Sequence, residues 1–127
     1  MMRHSQQRDR RERGYRRLPA DGSCPVLVAS VVAAFGLTPA DLRRPSRGTP
    51  RAAFARQVAM YCAHVWLGLS MTEVGRLFER DRTTVAHACR VVEEAREDPR
   101  VDRVVDAVES ALANWRESQG RPVGEAA

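Results

Sequence analysis

Residues 80–90 read Arg-Asp-Arg-Thr-Thr-Val-Ala-His-Ala-Cys-Arg, and this stretch decides the fold. Asp81 stands just before a helically periodic run. Its short carboxylate is suited to accept the orphan N–H groups of a first helical turn. In the helix that follows, Thr83, Thr84, His87 and Arg90 fall near the start, spaced to share a face, while Val85, Cys89 and Val92 fall opposite. Small hydrogen-bonding and cationic groups in the first turns, backed by an apolar face, are the build of a helix that enters a DNA major groove. An ordinary amphipathic surface helix shares that broad pattern, so the preceding residues decide between the two.

Those residues are Ser70-Met71-Thr72-Glu73, the Ser-x-x-Glu form of a capping box, followed by an apolar-periodic segment through Val74, Leu77 and Phe78. A helix of about two turns, a brief polar break at Glu79 and Arg80, and a second helix from Asp81 make a helix-turn-helix unit. Gly75, inside the first helix, costs about 1 kcal/mol relative to Ala. Its presence predicts a close approach of the two helices.

The ordered set Arg56-Gln57-Val58-Ala59-Met60-Tyr61, Leu69-Ser70, Val74-Gly75, Phe78, Arg80-Asp81, Thr83-Thr84-Val85 and His87-Ala88-Cys89-Arg90 resembles the C-terminal DNA-binding domain of the bacterial replication initiator DnaA. The resemblance extends from about Pro25 to Leu112 and is strongest between Arg56 and Arg90. It implies an all-α fold, a small helical domain containing a helix-turn-helix. It also implies base contacts from Asp81, Thr83 and Thr84, and backbone contacts from Arg56, Gln57, Ser70, Met71 and Thr72. Arg80, His87 and Arg90 match the pattern and are expected on the backbone or flanking bases. A basic loop upstream is implied at the minor groove, with Arg47 the nearest candidate and Arg51 the second. Two departures stand out. Arg82 occupies the place of the family's usual His, and Glu79 alone replaces its usual Gly-Gly. Arg82 offers a bidentate contact to guanine that a His does not, so the preferred site is expected to differ.

A chain of 127 residues supports one domain plus tails. It has no glycine-rich phosphate loop ending in Gly-Lys-Ser/Thr, and no lysine at all, so neither nucleotide binding nor the family's ATPase is expected. All 21 basic residues are Arg, and Ile is missing too. Both absent residues need AT-rich codons, which points to a GC-rich genome rather than to selection of Arg for base reading.

Net charge is +5, and its distribution is more informative than its size. Residues 43–90 hold nine Arg against Glu73, Glu79 and Asp81, whereas residues 91–127 hold five Arg against nine acids. A basic middle beside an acidic C-terminal part is the footprint of a domain that meets a polyanion on one side. The first 17 residues carry seven Arg and few apolar groups. Residues 1–22 therefore read as an Arg-rich tail without stable structure, either a DNA-following arm or a solubilising extension. The run Val26–Phe35 is too short and too far from the start for a signal peptide. No stretch approaches the roughly 20 apolar residues of a membrane span, which places the protein in the cytoplasm, at the nucleoid.

The core helices are legible as well. Pro25–Phe35 aligns Leu27, Val31, Ala34 and Phe35 and stops at Gly36. Thr38-Pro39-Ala40-Asp41 opens a short helix to about Arg44, and residues 43–50 follow as a basic loop. From about Arg51 to Leu67 a long helix buries one stripe through Ala55, Val58, Ala59, Cys62, Val65 and Trp66, and Gly68 ends it. After Pro99, Val101, Val104, Val105, Val108, Leu112 and Trp115 recur at helical spacing. That stripe either packs on the domain spanning 23–117 or forms a homodimer or partner surface through Val101, Val105, Val108, Leu112 and Trp115. Residues 118–127 read as a frayed tail.

Cys62-x-His64 and His87-x-Cys89 hold four potential zinc ligands. Side chains two apart on a helix diverge by about 200°, so no metal site is expected, and the three Cys read as free thiols. No catalytic set and no cofactor motif stands out, and no enzyme is expected. Two functions remain in view. One is sequence-specific binding of double-stranded DNA, as a transcriptional regulator or a replication-initiation accessory factor at initiator-like boxes. The other is a protein-interaction adaptor that uses the C-terminal helix and retains only residual, non-specific DNA binding.

Overall fold

The computed structural model describes residues 23–43 and 48–119. The Arg-rich tail 1–22, Arg47 and residues 120–127 lie outside them. Six helices follow in order: α1 Ser23–Phe35, α2 Pro39–Arg43, α3 Pro50–Val65, α4 Met71–Phe78, α5 Arg82–Ala95 and α6 Pro99–Gln119. The described residues contain no strand, so the chain is all-α as expected. No described helix is long and apolar enough to cross a membrane.

The local sequence explains each start. Thr38 donates to Asp41 Oδ2 from its N–H at 2.9 Å and from its hydroxyl at 3.0 Å, which closes the first turn of α2. At α3 the cap is Thr49, whose hydroxyl accepts the Ala52 N–H at 3.1 Å, with Pro50 at the first position, where its missing N–H costs nothing. That start, one residue before the expected Arg51, was signalled by the Thr-Pro pair. The helix α6 runs to Gln119, beyond the expected boundary at 117. No Gly or Pro interrupts it before Gly120.

The helix α3 is the central element, packed by α1, α2, α4 and α5. The expected single stripe is therefore too narrow. Met60, Tyr61 and Ala63 are buried along with Ala55, Val58, Ala59 and Cys62, while Val65, expected inside, is 51% exposed. A helix covered from several directions needs apolar residues around most of its circumference. The helix α1 has a similar character: it carries no charged residue and lies against both α3 and α6. Val105, Val108 and Leu112 of α6 are buried, and Val101 packs against the same core. Most of the C-terminal stripe is thus taken up by packing within the domain, while Trp115, at its far end, is half-buried.

The junction between α5 and α6 is pinned by Arg96. Its guanidinium meets Asp102 Oδ1 at 2.7 Å, Asp106 Oδ1 at 2.8 Å and Glu109 Oε1 at 2.7 Å, and lies 6.0 Å over the Tyr61 ring of α3. Trp66 Nε1 donates to the other oxygen of Glu109. Replacing Arg96 by Met strands the half-buried Glu109 carboxylate. The loss of a buried ion pair, discounted for the exposure of Asp102 and Asp106, is expected to cost about 2 kcal/mol in urea unfolding.

Gly75 of α4 is where the two helices of the helix-turn-helix are held together. A Cβ there would lie 2.4 Å from the Arg80 carbonyl oxygen, and the Arg80 N–H donates to the Gly75 carbonyl at 2.8 Å. Between them Glu79 takes the left-handed conformation, with φ 54°, at a cost of about 1 kcal/mol for a side chain with a Cβ. Two substitutions therefore move stability in opposite directions in chemical denaturation. Gly75→Ala gains helix propensity but forces the turn backbone to shift, for a net loss of about 2 kcal/mol. Glu79→Gly relieves the left-handed strain and gains up to about 1 kcal/mol.

Candidate nucleic-acid interface

The helix-turn-helix is assembled from α4, the turn at Glu79 and Arg80, and α5. Ser70 and Glu73 form the capping box: the Ser70 hydroxyl accepts the Glu73 N–H at 3.1 Å, and Glu73 Oε1 accepts the Ser70 N–H at 3.0 Å. These bonds occupy the Ser70 side chain. Met71 packs its side chain against the core. What the first turn of α4 offers outward is the backbone N–H groups of Met71 and Thr72 at the positive end of the helix dipole.

Asp81 caps α5. Its Oδ1 accepts the Thr84 N–H at 2.9 Å and the Thr83 hydroxyl. These two bonds orient the carboxylate at the mouth of the helix. Behind it, Val85, Ala88, Cys89 and Val92 are buried and fix the roll of the helix, so Arg82, Thr83, Thr84, His87 and Arg90 are all exposed. Thr83, His87 and Arg90 lie on the middle of that exposed face, and Arg82 and Thr84 on its flanks.

The other expected residues divide. Arg51 is exposed in the first turn of α3, and Gln57 is half-buried further along it. Arg56 turns inward: it is 7% exposed, and its Nε donates to the Leu42 carbonyl at 2.8 Å and its Nη2 to the Asp41 carbonyl at 3.3 Å. It thereby caps the C-terminal carbonyls of α2 and anchors the segment that leads into the basic loop. Burial, and then the nearby Arg80 charge, lower its pKa from the ordinary arginine value. Arg80 Nη1 donates to the carbonyls of Phe78 and Glu79, both at 3.1 Å, and so buckles the turn around itself. Arg76 had drawn no notice in the sequence. It is exposed one turn beyond Thr72 on α4, and the four-residue spacing was the available signal.

The cysteines and histidines separate in the same way. Cys62 and Cys89 are core residues, and burial pushes the Cys62 thiol up to about 12. His64 donates from Nδ1 to the Leu69 carbonyl at 2.8 Å, whereas His87 stands on the exposed face of α5.

The hydrogen bond from the Thr83 side chain, then that from the Thr84 backbone, hold the Asp81 carboxyl below the ordinary carboxylate value. A depressed folded-state value means that the cap contributes fully above the unfolded value and is lost as pH falls through the folded one. A carbon-detected NMR titration is expected to place the Asp81 midpoint below that of an unstructured Asp, and Thr83→Ala should move it upward.

The family model of the bacterial dnaA protein helix-turn-helix matches residues 26–92. The chromosomal replication initiator protein DnaA of Deinococcus radiodurans is 31% identical over 94 residues, covering 73% of this chain and 20% of that protein. The protein of the same name from Bifidobacterium animalis subsp. lactis is 41% identical over 66 residues, or 50% of this chain and 11% of that one. The chain thus spans a small fraction of the length of these relatives. Its matched region holds the capped helix pair, the Gly75 contact and the exposed face of α5, and the chain belongs to the bacterial DnaA helix-turn-helix family.

Proposed function

We propose that the protein binds double-stranded DNA sequence-specifically, with the N-terminal half of α5 in the major groove. The observation that carries this reading is the exposed row Arg82, Thr83, His87 and Arg90 on a helix whose roll is locked by four buried residues. Hydroxyl, imidazole and guanidinium groups match the donors and acceptors of base edges and phosphates. Asp81 and Thr84 complete the base-facing end. The amide groups that open α4, together with Thr72 and Gln57, serve the phosphate backbone, and Arg51 and Arg47 the minor groove. Arg56 and Arg80 carry like charges near enough to one another that the second contributes, after burial, to lowering the Arg56 pKa, which favours an anion beside them. Ser70 and Met71 contribute through the geometry of the α4 start.

The chromosomal replication initiators among the relatives suggest the kind of target: short boxes of the initiator type, occupied at the nucleoid by a regulator of transcription or an accessory of replication initiation. Neither nucleotide nor metal enters the binding step in this reading. The adaptor alternative is the weaker reading, because Val105, Val108 and Leu112 of its stripe are buried within the domain.

Binding that neutralises about five phosphates gives a slope near −4.5 in log K against log salt. Fluorescence anisotropy with a short duplex tests it. Arg90→Ala is expected to reduce the slope by about 1 and to weaken all sequences alike, while Thr83→Ala lowers affinity for the preferred duplex and leaves the slope unchanged. A slope near zero for the wild type overturns the reading.

A further inference from the structure

The geometry points to the cleft between α1, α2 and the end of α4 as a binding site for a small amphiphilic cation, a molecule with an apolar body and one ammonium-type group. Nothing in this site depends on the DNA-binding reading.

A cavity of about 680 Å³ opens there, walled by Val28 and Val32 of α1, Leu42 of α2, and Leu77 and Phe78 of α4. The elements that could close it are short. The helix α2 has five residues and α4 eight, against thirteen in α1, so Val28, Val32, Leu77 and Phe78 pack on the core yet stay only partly buried. The composition of α1 makes this gap informative. No charged residue occurs in that helix, and a helix without a polar face is ordinarily covered all round. Its neighbours α3 and α6 cover it from two directions, while Cys24, Val28 and Val32, spaced by four, line the cavity on a third. An occupant with an apolar body completes the cover by taking those side chains out of water. The volume and the mainly apolar wall suit a single small molecule.

Charge decides which kind of molecule fits. The chain holds 21 Arg, yet no described Arg lines the cavity, and the one charged residue of its wall is Glu79. Glu79 is exposed, and among the described residues no cation pairs with its carboxylate. The neighbouring Arg80 guanidinium is turned to the carbonyls of Phe78 and Glu79 instead. A carboxylate only accepts hydrogen bonds and an ammonium only donates them, so a cationic head gains a partner at Glu79 while its apolar chain fills the cleft. Glu79 is also the left-handed residue of the turn. An occupant therefore touches the residues that set the course from α4 to α5.

The test is an NMR titration of the full chain with three probes of equal chain length, hexylammonium, 1-hexanol and hexanoate. Hexylammonium is expected to shift the amide signals of Val28, Val32, Leu77, Phe78 and Glu79 saturably. It should bind about two- to fivefold more tightly than hexanol, the range of an exposed ion pair, with hexanoate weakest. Glu79→Gln should bring hexylammonium to the level of hexanol. Ala29→Trp, at an exposed position on the cavity wall, should weaken all three probes by about tenfold or more, as expected when two or more methylenes lose their burial. Circular dichroism checks that both variants are folded, and Glu79→Gln carries the test should Ala29→Trp fail to fold. Shifts that do not saturate, or that spread over the whole surface, overturn the site. Equal binding of hexylammonium and hexanol, a preference for hexanoate, or a hexylammonium preference that survives Glu79→Gln overturns the chemistry assigned to it.

Discussion

The arrangement of the whole binding face hangs on one contact, the approach of the Arg80 carbonyl to the Cα of Gly75. Only hydrogen fits there. Because α4 lets the chain turn directly across its own last turn, α5 leaves at a fixed angle after three connecting residues, Glu79, Arg80 and the cap Asp81. The Arg80 N–H returns to the Gly75 carbonyl, its guanidinium braces Phe78 and Glu79 from the other side, and Asp81 starts the next helix at once. A glycine that looks like a defect in helix propensity is in fact the condition for the motif. The left-handed Glu79 is the accompanying cost: a residue with a side chain takes the conformation that the turn requires.

The angle set at Gly75 is useful only if both helices are held from behind, and that is the task of α3. It is buried on most sides, with Val58, Ala59, Cys62 and Ala63 fully enclosed, and it touches α1, α2, α4 and α5. Small residues dominate its surface, so its neighbours come close and the domain packs around one axis. Polar groups in this interior have defined jobs. Arg56 ties α2 to α3, and Arg96 ties α6 to the Tyr61 and Trp66 end of α3. Both are arginines with a positioning role, in a chain where every basic residue is an arginine and charge alone does not identify the ones that face solvent.

That ambiguity marks the limit of what the sequence disclosed. The capped helices were legible because caps are local: Ser70 with Glu73 and Asp81 with Thr84 act within four residues. The exposed face of α5 followed from periodicity alone. The sequence did not disclose which way Arg56 points, because the carbonyls that attract it belong to Asp41 and Leu42, fifteen and fourteen residues away. Nor did it disclose the Arg96 cage, whose acids lie on a later helix, or the full burial of α3, since residues such as Met60 and Tyr61 fall outside any single stripe. The fate of the α6 stripe was undecidable for the same reason: periodicity says that a face is buried, not what buries it.

The charge asymmetry of the chain takes on a different meaning once these partners are known. The acidic C-terminal part reads, in sequence, as a free negative field opposing the basic middle. Three of its carboxylates, Asp102, Asp106 and Glu109, converge on Arg96, which neutralises one charge of the three and holds the remainder at the junction of α5 and α6. On the other side the accounting runs the opposite way, because Arg51, Arg82 and Arg90 stay exposed and Arg56, though buried, keeps a positive charge under the same surface. The asymmetry gives a field that favours a polyanion on the basic side of the domain.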